Sequence, residues 1–343
     1  MKKLLSCLLA LTLLLTALAV PASAARLARN AWIQNGTDWY YYDAAGNLLK
    51  NGMYYVDGAW YYFNTNGVMA HNVAVTQNGT AYLFGQNGAW TGVSTATPGW
   101  IVRGGKTYYA TVDPRGLIYF YRHGTFRIDG QQYAFRNYEL LTGGWYQPWI
   151  DDANPAWVYA NSNSTLATGW TKIGKEWYFF AENGAMYANQ WASGAGGTRK
   201  YFMKGDGTIA TGWQDVRLAT GSQGPDWRFF SADGVMQVGW LKDGGSWYYL
   251  NPADGKMVAN ALWEIDREVY AFDASGKIAR GWWRHPVTGD YYYSAADGIY
   301  FSRWLKDGGA WYYLGENGIM MSGGSATIGG VTYTFGPSGA LIQ

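Results

Sequence analysis

Gly239-Trp240-Leu-Lys-Asp-Gly-Gly-Ser-Trp-Tyr-Tyr-Leu-Asn-Pro-Ala-Asp-Gly-Lys-Met257 holds the pattern that decides the fold. Two short apolar and aromatic runs flank Asp243-Gly244, and a second glycine, Gly255, stands shortly before Met257. Asp-Gly and Asn-Gly pairs favour the positive-φ turns whose twist matches a β-hairpin. Asn35-Gly36, Asp57-Gly58 and Asn78-Gly79 repeat the first turn signal. Asn64-Thr-Asn-Gly67 and Ala181-Glu-Asn-Gly184 repeat the second, with glycine in the left-handed position.

Aligned on the residue before each aromatic pair, the unit recurs at Trp39, Trp60, Ala81, Thr107, Gln132, Trp157, Trp177, Lys200, Trp227, Trp247, Val269, Tyr291, Trp311 and Thr332. That is about 14 units of about 22 residues, a period that points to a repeat architecture. Glycine follows most anchors at seven residues, as in Gly67, Gly184 and Gly234, and an apolar side chain stands two residues beyond it. One hairpin is marginal alone in water, so neighbours must stack to bury a common core. The predicted fold is all-β, a repeat β-solenoid of stacked β-hairpins, with helix confined to the N-terminal segment. The period loosens over 94–165, where Pro98, Pro114, Pro148 and Pro155 fall and the Gln132 and Trp157 units lack the turn glycine. These read as degenerate or irregular repeats, with a bend between two solenoid halves or a small inserted module as the alternatives.

Composition agrees. The chain is 18% aromatic and 15% charged, with 47 glycines in 343 residues. Disordered chains have few aromatics, and collagen needs a strict Gly-X-Y period that is absent here. Residues 1–24 read as a secretory signal: Lys2 and Lys3, an apolar run from Leu4 to Val20, then Ala22-Ser23-Ala24. Residues 25–343 form the repeat region. Cys7, the only cysteine, lies within the signal, so the mature chain has neither a disulfide nor a thiolate metal site. Losing Lys2 and Lys3 from 26 basic residues leaves them balanced against 24 acidic ones, which gives no basic field for nucleic acid. No apolar run after residue 24 approaches membrane length.

Strand alternation puts Trp247 and Tyr249 on one face and Tyr248 on the other. Trp240, across the turn, joins the first pair, and Met257 supplies an apolar floor. Such a box attracts a quaternary ammonium through the ring quadrupoles, and a sugar face stacks on the same rings. The middle aromatics, Tyr40, Tyr61, Tyr178, Tyr248 and Tyr312, are expected to serve packing.

The 239–257 stretch, and nearly as well 304–320 and 170–186, resembles the choline-binding, or cell-wall-binding, repeat of Gram-positive surface proteins; related repeats occur in glucan-binding proteins and clostridial toxin C-terminal regions. The resemblance implies ligand sites between successive hairpins and a ligand that is choline on teichoic acid or another wall or surface glycan. Carried over by position, the cages are Trp170, Trp177 and Phe179 with Trp191; Trp240, Trp247 and Tyr249 with Trp263; and Trp304, Trp311 and Tyr313. Met186, Met257 and Met320 are the floors. Phe179 and Phe229 stand where the pattern has Tyr, which keeps stacking and loses a hydroxyl. Gly324-Ser325 replaces the Trp expected after the third cage, and the Ala81, Val269 and Thr332 units lack the anchor Trp.

The family often joins such repeats to a catalytic domain. Here the repeats run from the cleavage site to the last residue. His71, His123 and His285 are isolated, no His-x-x-x-His pair or Gly-x-Ser-x-Gly elbow occurs, and Gly194-Ala-Gly-Gly197 is too short for a phosphate loop. Asp151-Asp152 and Glu264/Glu268 are the carboxylates open to a glycosidase reading. The expectation is a non-catalytic secreted protein without cofactor or metal, retained on the bacterial cell wall. Host-glycan receptor binding and a wall glycan hydrolase are the alternatives.

Overall fold

The computed structural model describes residues 28–149, 156–194 and 196–342. Residues 1–24, read as a secretory signal, and Asp151-Asp152 lie outside them. The described chain divides into two compact units, one ending at Ala167 and one starting at Thr168.

Both units are β-structure built from local antiparallel hairpins. The described strands fall into fourteen separate sheets of two or three sequence-adjacent strands, one at each anchor. Gly239–Asp243 pairs with Ser246–Leu250, setting Trp240 opposite Tyr249, Lys242 opposite Trp247 and Leu241 opposite Tyr248. The turn is Gly244-Gly245, with φ of 53° and 79°. Asp243 is therefore a strand residue paired with Ser246, not the turn residue the sequence suggests. Its carboxylate reaches the preceding hairpin. Helix does occur after residue 24, as one turn at Arg217–Thr220.

The second glycine has two tasks. Gly234 has φ of 80°, and a Cβ there would fall 2.3 Å from Ile209 Cδ1 of the preceding unit. The residue two positions on completes the stack. Met236 bridges Phe230 of its own hairpin, while its N–H donates to the Lys200 carbonyl one hairpin back at 2.9 Å. Ile209 to Trp177, Met257 to Trp227, Ile278 to Trp247, Met320 to Tyr291 and Leu341 to Trp311 repeat the bond. Each of these hairpins is thus tied to its predecessor by a backbone hydrogen bond, inside a core where buried backbone groups need partners.

The core of each unit is a file of side chains from the end of the second strand, three residues after the anchor. Phe63, Phe84 and Phe135 in the first unit, and Phe180, Phe230, Leu250, Phe272 and Leu314 in the second, are fully buried. Across 94–165 hairpins persist. Two of them carry a third strand, Ile118–Phe120 and Glu139–Leu140, where the regular units make a single bridge. In the Trp157 unit Ser164 takes the left-handed position usually held by glycine, with φ of 70°.

Candidate functional site

The two faces of a hairpin serve different neighbours. Trp240, Trp247 and Tyr249 do share one face, and it turns toward the next hairpin. Trp240 meets Tyr249 at 5.1 Å, Trp247 at 6.1 Å and Tyr270 of the following unit at 5.0 Å, all edge to face. Tyr248 turns back and meets Trp213 of the preceding unit at 4.9 Å. A box therefore consists of the opening and anchor aromatics of one hairpin and the central tyrosine of the next. Trp32 with Tyr61, Trp170 with Tyr201, Trp282 with Tyr312 and Trp304 with Tyr333 repeat it at 4.8–4.9 Å.

This geometry regroups the residues expected from sequence. Trp170, Trp177 and Phe179 lie on one hairpin face as anticipated, but Trp191 does not close their box. It occupies the opening position of its own hairpin, and its ring packs on Phe202 and Phe230 toward the following unit. Trp263 sits one register place later than Trp240 does. It pairs with Tyr270 and shares its face, the face turned to Trp240, because a shift of one residue reverses the side. The floors move back by one unit, since the residue after the second glycine folds onto the preceding hairpin. Met257 lines a cavity with Trp213, Trp227 and Tyr248, not with Trp240, and Met320 is bonded to Tyr291. Met186 lies beneath Gly207. Ile278 and Leu341 take the floor positions behind Trp247 and Trp311. Of the central tyrosines read as packing residues, Tyr61, Tyr248 and Tyr312 are box walls, while Tyr40 packs in a buried cluster as expected.

Two cavities show the assembled box. One, of about 410 Å³, is lined by Trp32, Trp39, Tyr61 and Met69, with His71 at its border. The other, of about 580 Å³, is lined by Trp213, Trp227, Tyr248 and Met257, bordered by Lys256 and Ser275. Behind each, the opening indole N–H donates to a carboxylate of the next hairpin: Trp32 to Asp57 at 2.9 Å and Trp213 to Asp243 at 3.0 Å. Trp282 donates to Asp307 in the same way at 2.9 Å. Sequence reading used Asp57 and Asp243 only as turn signals and missed this contact.

Several boxes already contain a cation. Lys242 and Lys306 hold their ammonium groups 5.7 Å from the ring centroids of Trp247 and Trp311. The Arg284 guanidinium lies 5.9 Å from Tyr291. Between Trp191 and the next hairpin the replacement is complete: Arg228 stands in the central-tyrosine position with its guanidinium 5.5 Å from Trp191, and Lys200 is the anchor. Arg228 and its partner Asp226 are buried, and Thr220 and Ser222 donate to the same carboxylate. Burial alone would raise the Asp226 carboxyl; those hydrogen bonds and the guanidinium outweigh it and hold it below the usual range.

Glu264 and Glu268 stand on opposite faces of one hairpin, so they do not form the facing pair a glycosidase needs.

Residues 167–213 and 210–261 match the family model for the choline-binding repeat, and 54–69 and 302–320 match that for the cell wall binding repeat. The chain carries choline-binding repeats. It is 27% identical to Glucosyltransferase-S of Streptococcus mutans serotype c over 192 residues, 55% of this chain and 13% of that protein. It is 26% identical to Glucosyltransferase-I of Streptococcus downei over 253 residues, 63% of this chain and 15% of that protein. The chain thus spans about a seventh of the length of these relatives. Among solved structures it resembles CbpJ of Streptococcus pneumoniae, with 21% identity, 91% of this chain and 99% of that one covered, and a TM-score of 0.45. Among the described residues no helix is long and apolar enough to cross a membrane.

Proposed function

We propose that residues 25–343 form a hairpin solenoid that anchors a secreted, non-catalytic protein to the bacterial cell wall. The anchor is choline on teichoic acid, held in the boxes between choline-binding repeats. In this reading residues 1–24 are the secretory signal and are removed. The observation that carries it is the recurring box, in which two ring faces of one hairpin and the central tyrosine of the next surround an apolar-floored cavity. The boxes on Trp170 and Trp177, Trp240 and Trp247, and Trp304 and Trp311 belong to the same array and are available for glycan stacking as well.

A ligand bound only by the folded state raises stability with its concentration. Choline should therefore raise the melting temperature of the full chain progressively, and an unchanged melt in saturating choline would overturn the reading. Replacing Tyr248 by Leu should weaken choline binding at the Trp213 box by the value of one ring, about 0.5–2 kcal/mol. Leu241→Val, the cross-strand neighbour of Tyr248, should not. Titration calorimetry of the two variants reads the difference.

A second reading, stacking of a glucan on these rings, is favoured by the likeness to glucosyltransferases over more than half of the chain. Retention on a glucan resin that choline does not release would select it.

A further inference from the structure

The boxes share a shape and differ in charge. Two conditions separate them: whether a carboxylate backs the opening indole, and whether one of the chain's own cations already sits on a ring. The Trp240 box fails both. Ile265 occupies the strand-closing position that Asp243 holds in its own hairpin, Asp266 stands at the turn position of Asp57 but accepts no hydrogen bond from the Trp240 indole, and Lys242 sits on Trp247. The Trp304 box fails both in the same way, with Ile328 and Lys306. In the Trp170 box the indole donates to the Ser193 carbonyl at 3.1 Å, and Lys172 stands directly across from Trp177.

The Trp32 and Trp213 boxes meet both conditions. Asp57 and Asp243 accept the indole N–H, and Gln34 and Asp215, not lysines, stand across from the anchors Trp39 and Trp227. Lys256 borders the second cavity without being seated on its rings. One such box lies in each compact unit. The Trp282 box is intermediate: Asp307 backs its indole, but Arg284 covers Tyr291.

We infer that Asp57 and Asp243 are specificity residues that make the Trp32 and Trp213 boxes the quaternary-ammonium sites, and that lysine or arginine on the ring closes the other boxes to a cation. The inference rests on the choline reading above. A hydrogen-bonded carboxylate adds charge attraction to the ring quadrupole and increases the electron density of the indole it binds. An ammonium or guanidinium over the ring satisfies the quadrupole and repels a second cation.

The test is titration calorimetry of the full chain with choline chloride, with tetramethylammonium as the minimal cation. The parent should bind about two cholines tightly, one in each open box. Asp57→Asn with Asp243→Asn keeps an oxygen for each indole N–H and removes only the charge; affinity should fall about ten-fold at both sites. Arg284→Met, which uncovers a box already backed by Asp307, should add a third site, and Arg284→Gln should do the same if the first variant does not fold. A parent that binds five or more cholines alike overturns the sorting while leaving the choline reading intact. So does undiminished affinity in the Asn pair, or an Arg284 variant that stays at two sites while melting like the parent without ligand. A parent that binds no choline overturns both.

Discussion

Gly234→Ala should destabilise the protein by about 2–4 kcal/mol, and Gly244→Ala by about 1 kcal/mol. Both glycines have positive φ, 80° and 53°, so both variants pay the left-handed cost of a Cβ, partly offset by a stiffer unfolded chain. They differ in what the new carbon meets. At Gly244 nothing lies within 4 Å; at Gly234 it would fall 2.3 Å from Ile209 Cδ1 and 2.7 Å from Cγ1. Such overlap must be relieved by moving Ile209, whose N–H is bonded to the Trp177 carbonyl. Forcing atoms into a close-packed interior costs about 1–3 kcal/mol. Urea midpoints of the two variants read the difference directly. Equal midpoints would show that Ile209 yields freely and that the second glycine is needed only for its turn.

That contrast marks how far the sequence could be read. Local rules act within about ten residues, and they were sufficient for the hairpins, the turn glycines and the sharing of one face by Trp240, Trp247 and Tyr249. They do not say which neighbour a face serves. Period-two alternation separates Tyr248 from Tyr249 but is silent on which of them points to the preceding unit. The residue after the second glycine was placed with its own hairpin, because nothing in the chain announces that Met257 donates its N–H to Trp227. Trp263 resembles an opening Trp until pairing shows Leu262 in that register place, opposite Ala271. Two signals were present and went unused. Gly244-Gly245 supplies a complete two-residue turn, which leaves Asp243 on the strand. The triplet Trp227-Arg228-Phe229 has a charge where the other strong units have an aromatic ring, and an arginine at a buried position demands a partner.

Asp226→Asn should cost about 3–5 kcal/mol, the usual penalty for leaving a buried charge without its counter-ion. Arg228 is 6% exposed and Asp226 2%. The guanidinium lies against Trp191, and its Nε already lacks a hydrogen-bond partner. Asp254, at 3.9 Å and half in solvent, is the remaining carboxylate within ion-pair range. A buried pair costs much of its attraction in desolvation, so removing both charges is cheaper than removing one. Asp226→Leu with Arg228→Met should therefore be more stable than Asp226→Asn, although it alters more atoms. The acid limb separates this from a packing effect. The folded Asp226 carboxyl is held below its ordinary 3.8, so its stabilisation is complete above that value and is lost as pH falls through the lower folded one. Asp226→Asn has no such group to protonate, so its urea midpoint should fall less steeply than the parent's across that acid window. Parallel acid limbs for the two proteins would mean that Asp226 holds Arg228 in place by shape and hydrogen bonding, not by charge.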